Sequence, residues 1–175
     1  MSTKNETNAA TGEELVIMRT FHAPRTLVWQ AWTESERLLH WWGPQGVTMK
    51  VAKIDLCPGG RLHYCYAMPN GNEMWGLFIY HEITPPERLV FTNAFSDAEG
   101  NIVRAPFSAD WPLEIMNTLT FTEHEGKTTL TLRGLPYNAT AAEHNLFAGA
   151  RTSIQQGFKG TMDQLETYLA SVQSE

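Results

Sequence analysis

From Thr140 to Val172 the apolar residues Leu146, Ile154, Phe158, Met162, Leu165 and Leu169 recur mostly at intervals of three or four. Helical periodicity gathers such residues onto one stripe. A helix of that length runs roughly 50 Å at 1.5 Å per residue, longer than a small domain is wide. Its stripe therefore needs a broad partner surface, of the kind a curved β-sheet provides. Thr140-Ala-Ala-Glu143 marks the start as a capping box, with Thr140 accepting from the amide of Glu143 and the Glu143 side chain reaching back to Thr140 N–H. Gly149, Gly157 and Gly160 fall inside the helix, each at a cost of about 1 kcal/mol against alanine. Two readings are open for them: close packing or a kink, or room left for a ligand between helix and sheet.

The rest of the chain reads mainly as strands. Leu15 to Phe21 alternates as a first strand. From Val47 to Leu132 a run of strands is divided by turn chemistry at Cys57-Pro-Gly-Gly60, Pro69-Asn-Gly-Asn72, Thr84-Pro-Pro-Glu87, Asp97 to Gly100 and His124-Glu-Gly126. Between the first strand and that run come two short helices. The first is entered at Ala23-Pro24; the second is opened by another capping box, Thr33-Glu-Ser-Glu36, and stopped by Gly43-Pro44. The order strand, two helices, six strands, long helix predicts an α+β fold with helices packed on one face of a curled antiparallel sheet. Residues 1–12 are small and polar, which predicts a disordered tail, and 13–175 are expected to form one domain.

Period-two alternation directs Leu62, Tyr64, Tyr66 and Met68 of the third strand inward, and Met74, Gly76, Phe78 and Tyr80 of the fourth. A three-residue loop centred on Gly71 would set Tyr64 directly opposite Phe78. The fifth strand turns Phe91 and Asn93 inward and the sixth Asn117. An unpaired buried amide costs about 1 to 3 kcal/mol, so Asn93 and Asn117 are expected to bond each other or to hold a ligand. Of the adjacent Trp41 and Trp42, one should pack inward and the other line a cleft or an interface. The irregular stretch Asn101 to Pro112, with Phe107 and Trp111, is a candidate lid or rim. An apolar cavity with a few convergent polar groups is the usual form of a small-molecule site, of about 300 to 1,000 Å³. The expected ligand-binding residues are Trp41, Trp42, Tyr64, Tyr66, Phe78, Tyr80, Phe91, Asn93, Phe107, Trp111, Asn117 and Phe158.

Several function classes fit poorly. A net charge of -6 without a Lys/Arg cluster disfavours nucleic acid and anionic membrane as partners. No apolar run approaches the ~20 residues that span a bilayer, and nothing resembles a secretory leader, so a cytoplasmic location is expected, with Cys57 and Cys65 as reduced thiols. His63, Cys65 and His81 lie on one outward face without a fourth ligand of obvious identity, so no metal is expected. Glu82, Asp97, Arg104, Asp110 and Glu114 could serve acid–base chemistry or be solvated charges. No nucleophile motif is present, so no catalytic residue and no cofactor are assigned. A homodimer and a protein partner stay open.

The residues also carry a family likeness. Ala23-Pro24-Arg25 with Val28-Trp29-x-Ala31-Trp32-Thr33, Trp41-Trp42-Gly43-Pro44, Asp55-Leu56-x-Pro58-Gly59-Gly60, Glu82-Ile83-x-Pro85-Pro86-Glu87-Arg88-Leu89, and Gln156-Gly157-Phe158 followed by Leu165-Glu166-x-Tyr168-Leu169 resemble bacterial single-domain homologues of the heat-shock protein 90 ATPase activator, in the START-like (SRPBCC) superfamily. The resemblance spans about Glu14 to Ser171. It implies a helix-grip fold, a seven-stranded antiparallel sheet around the C-terminal helix with a cavity between them, and no shared catalytic set. Cys57 and Ala105 stand where the resembled subgroup usually carries arginine and histidine. Binding of a small apolar or aromatic molecule is the function expected; the alternatives are a cyclase- or hydrolase-like enzyme in the same cavity and a co-chaperone-like interaction module.

Overall fold

The computed structural model describes residues 14–174; the tail expected over residues 1–12 lies outside them. The order is β1 (Leu15–Phe21), α1 (Arg25–Thr33), α2 (Ser35–Trp41), β2 (Thr48–Ile54), β3 (Arg61–Ala67), β4 (Glu73–Thr84), β5 (Arg88–Ser96), β6 (Glu114–His124), β7 (Lys127–Tyr137) and α3 (Ala141–Gln173). The strands form one antiparallel sheet in the order β1-β7-β6-β5-β4-β3-β2. This is the α+β, helix-grip architecture, with α3 held by the curled sheet. The main core, including Phe21, Trp32, Phe91, Leu119 and Leu165, fills the space between sheet and helices.

The long helix begins as its sequence indicates: Thr140 Oγ1 accepts from Glu143 N at 3.1 Å and Thr140 N donates to the Glu143 carboxylate at 2.9 Å. Its stripe differs at one position. Leu146 is exposed and Phe147 is fully buried, because Phe147, seven residues before Ile154, falls about 20° from it around the axis, whereas Leu146 falls about 80° away. The glycines divide. A Cβ on Gly149 or Gly157 would meet nothing, while one on Gly160 would press on Gln45. Close packing therefore accounts for Gly160 alone. The helix is tied at its middle to β1 by Arg19–Asp163, at 2.6 Å, and to the turn after α2 by Thr161 and Gln164, which donate to the Gly43 carbonyl.

Two other expectations are corrected. The second capping box does not form: Glu34, not Thr33, is the N-cap of α2 and makes no side-chain cap. Thr33 Oγ1 instead donates to Trp29 O at 2.8 Å, one turn back in α1, a local bond that competes with capping. In the β3–β4 hairpin Tyr64 and Phe78 share a face, but Leu62 is opposite Phe78 and Tyr64 opposite Gly76. The loop has three residues, Pro69-Asn70-Gly71, with Gly71 last at φ +91, since that is where a left-handed residue is required. The register lays the Tyr64 ring across Gly76, where a Cβ would collide with Cζ and Oη.

The segment between β5 and β6 is anchored at both ends. Beyond Asn93 the sixth strand no longer accompanies β5. Ile102 and Val103 take its place, bridging Ser96 and donating to Phe95 O. Further on, Arg104 Nη1 bonds both Trp111 O and the buried Glu143 carboxylate. One arginine thereby ties this segment to the first turn of α3. Thr140 N–H and Arg104 hold the Glu143 carboxyl below its ordinary range.

Two outcomes test these contacts. Gly76→Ala should lower stability by about 1 to 3 kcal/mol through overpacking, while Gly157→Ala should raise it by about 0.5 to 1 kcal/mol; thermal melts showing the same sign for both would contradict the packing described. A carboxylate with a depressed native pKa stabilises above its unfolded pKa, and that contribution is lost as pH falls through the native value. The Arg104–Glu143 tether should therefore be intact at neutral pH and released only in acid, below the ordinary carboxylate range. Arg104→Met should release it at pH 7. The ¹⁹F signal of fluorotryptophan at Trp111 reads this, and an unchanged signal in the variant at pH 7 would disprove the tether.

Candidate functional site

Two apolar clusters form around α3. The larger contains Trp32, Phe78, Phe91 and Leu132, with Trp42 and Phe158 at its margin. The smaller is Leu15, Ile115 and Phe147, joined by Trp111 and Ile154. Between them lies a cavity of about 190 Å³. Sheet residues Phe78, Phe91, Asn93, Phe95, Ile115 and Asn117 form one wall. Phe147, Ile154 and Phe158 of α3 form another, and Phe107 and Trp111 close the end beneath the β5–β6 segment. Phe107 is 64% exposed, so the cavity reaches the surface there.

The volume is below the 300 to 1,000 Å³ expected, because the wall is built of large rings that lean on one another. Trp42 packs edge-on against Phe78 at 5.3 Å and Phe158 at 6.2 Å; Phe107 meets Trp111 at 5.4 Å, and Trp111 meets Phe147 at 5.8 Å. Edge-to-face contacts of this kind add about 0.5 to 1.5 kcal/mol beyond area burial. The indole N–H groups of Trp32 and Trp42 are buried without a hydrogen-bond partner, a cost the ring contacts offset.

Polar groups on the wall are few. Register places Phe78 opposite Asn93, Asn93 opposite Ile115, and Phe91 opposite Asn117, so the two amides are diagonal neighbours on the concave face. Asn117 Nδ2 donates to Asn93 Oδ1 at 2.6 Å and to Ile115 O at 3.1 Å. Gly134, opposite Asn117 on β7, lets that side chain lie close to the strand; a Cβ there would stand 3.0 Å from Asn117 Oδ1. None of the lining residues is ionisable.

Of the residues expected at the site, Trp42, Phe78, Phe91, Asn93, Phe107, Trp111, Asn117 and Phe158 line the cavity; Trp41, Tyr64, Tyr66 and Tyr80 do not. Trp41 is buried in the core and donates to Ala31 O at 3.0 Å. Tyr64 stacks on Tyr66 beyond Trp42, and Tyr80 is enclosed beside Phe91. Burial pushes the Tyr64 and Tyr80 phenols above their ordinary value. Lining residues outside the expected set are Leu15, Trp32, Phe95, Ile115, Leu132, Phe147 and Ile154. Phe95 and Ile115 share the strand parity of Asn93 and Asn117, Leu132 pairs with Leu119 on the same parity as Asn117, and the seven-residue spacing to Ile154 was the available signal for Phe147.

The charged candidates lie elsewhere. Glu82 pairs with Arg88 at 2.9 Å on the surface. Asp97 organises its own turn, accepting from Glu99 N, Asn101 N and Asn101 Nδ2. Asp110 is exposed and Glu114 half-buried. His63 stacks near Trp75 and contacts Asp97 O, and His81 is exposed beside Tyr137; among the described residues no three His, Cys, Asp or Glu side chains converge. Cys57 is exposed, next to Asp55, and Ala105 is buried. No described helix is long and apolar enough to cross a membrane.

This architecture recurs in solved structures. Protein Ms6760 from Mycobacterium smegmatis is 28% identical, with 90% of this chain and 91% of that one covered at a TM-score of 0.71. NE0264 from Nitrosomonas europaea is 22% identical, covering 94% and 98% at a TM-score of 0.73, and a Staphylococcus epidermidis protein is 24% identical, covering 91% and 90% at 0.72; these two likenesses show the fold alone. No curated protein matches the chain. The family model described as activator of Hsp90 ATPase homolog 1-like protein matches residues 22–170. The chain belongs to that family.

Proposed function

We propose that the protein binds a small, largely apolar or aromatic molecule in the cavity between sheet and α3. Family and fold are consistent with a ligand-binding scaffold. The observation that carries the reading is the cavity itself: about 190 Å³, walled by aromatic rings, with two amides on its sheet wall and no ionisable group. Burial of aromatic surface supplies affinity, and the amides supply orientation. Catalysis in the same space would require a titratable side chain on the wall, and Glu82 and Glu114 are not there. A docking module at the tryptophan end would require exposed indole, but Trp41 is buried and Trp42 faces its aromatic neighbours.

Native mass spectrometry of protein from a heterologous host, followed by extraction, should recover a low-mass apolar compound. In a reconstituted complex with that compound, Trp111→Ala should weaken binding about tenfold or more, because it removes one end of the cavity. Protein that is empty and takes up no apolar probe from a mixed library would refute the proposal; unchanged affinity in Trp111→Ala would refute the part given to the β5–β6 segment.

A further inference from the structure

Ile115 decides how the two amides are turned. Its carbonyl can only accept a hydrogen bond, so the Asn117 atom 3.1 Å away is Nδ2. That nitrogen also donates to Asn93 at 2.6 Å, which commits both its hydrogens and requires Asn93 to present Oδ1. What the pair has left is complementary: two N–H donors on Asn93 Nδ2 and an acceptor on Asn117 Oδ1, on residues that line the same cavity. Asn117 Oδ1 lies close over Gly134, where a Cβ would crowd it at 3.0 Å.

A partner for this pair must both accept and donate. A carboxylate can only accept and an ammonium can only donate; either would also surrender its hydration to a wall without an opposite charge, which is strongly unfavourable. The nearby cation, Arg104, is held by Glu143 and Trp111 O. Size sets a second limit. An apolar cavity of about 150 Å³ accommodates benzene, so about 190 Å³ accommodates one ring with a short substituent.

Resting on the cavity being a ligand site, we propose that its ligand is an uncharged, single-ring aromatic molecule bearing a hydroxyl or carboxamide. That group accepts from Asn93 Nδ2 and donates to Asn117 Oδ1, while the ring lies among Phe78, Phe91, Phe147 and Phe158.

Matched probes of equal heavy-atom count test this by NMR titration of the intact protein at pH 7: phenol against toluene, and benzamide against benzoate. A purely apolar cavity rejects phenol, since its hydroxyl loses water without replacement. Here phenol should bind at least as tightly as toluene, and benzamide at least about tenfold more tightly than benzoate. Asn93→Leu, which leaves the Asn117–Ile115 bond in place, should keep toluene affinity within about threefold and make phenol the weaker ligand. Toluene binding with phenol about tenfold weaker in the wild type, or benzoate equal to benzamide, would overturn this inference and leave the cavity reading standing. If none of the four probes binds, both fall.

Discussion

Everything in this fold follows from a helix too long to bury its apolar stripe against anything but a sheet that curves around it. The 33 residues of α3 run across the concave face, but a helix and a curled sheet do not touch along their whole length. Contact is tight where Met162, Leu165 and Leu169 meet the main core, and again where Phe147 meets Leu15 and Ile115. The gap between those contacts is the cavity. It comes from geometric mismatch, and the aromatic side chains narrow it without closing it.

The register of the strands decides what faces that gap. One concave row passes from Phe78 through Asn93 to Ile115, and the next from Phe91 through Asn117 to Gly134. A slip of one residue in β5 would turn Asn93 onto the outer face and bring in Thr92 or Ala94, and one in β6 would replace Asn117 with Met116 or Thr118. Polar chemistry in an apolar wall is thus specified by pairing across four strands, β4 to β7, and no single local motif encodes it.

The fold was largely legible because its signals are periodic: the helix stripe, the strand alternation and the glycine-bearing turns each repeat often enough to outvote local exceptions. Errors arose where one residue had to choose between equivalent local options. Thr33 could cap the following helix or bond back to Trp29, and as the buried last residue of α1 it does the latter. The Pro69-Asn70-Gly71 loop kept the expected length but lies one residue earlier, which shifts the pairing by two, because only the last of its three positions calls for a left-handed conformation. Parity of the strands was unaffected, so Tyr64 faces inward as read while its partner differs. The site was less legible. Inward-facing aromatic residues are the same on paper whether they fill a core or border a void, and what separates Phe91 from Tyr80 is the path of α3 overhead. The Arg104–Glu143 contact spans 39 residues, and nothing in the sequence pairs them.

The two solvent-facing glycines of α3 also have a consequence for local stability. Gly149 and Gly157 bracket Ile154 and adjoin Phe158, the residues that roof the cavity. Relative to alanine at both positions, their lower helix propensity makes unwinding of this stretch easier by about 2 kcal/mol, which multiplies the population of locally opened helix by roughly thirty. The ends of α3, pinned by Thr140 and by the core around Leu169, do not share in that loosening. The roof is therefore the stretch of the helix that its glycines make easiest to open locally, and it lies over the same cavity that Phe107 leaves at the surface.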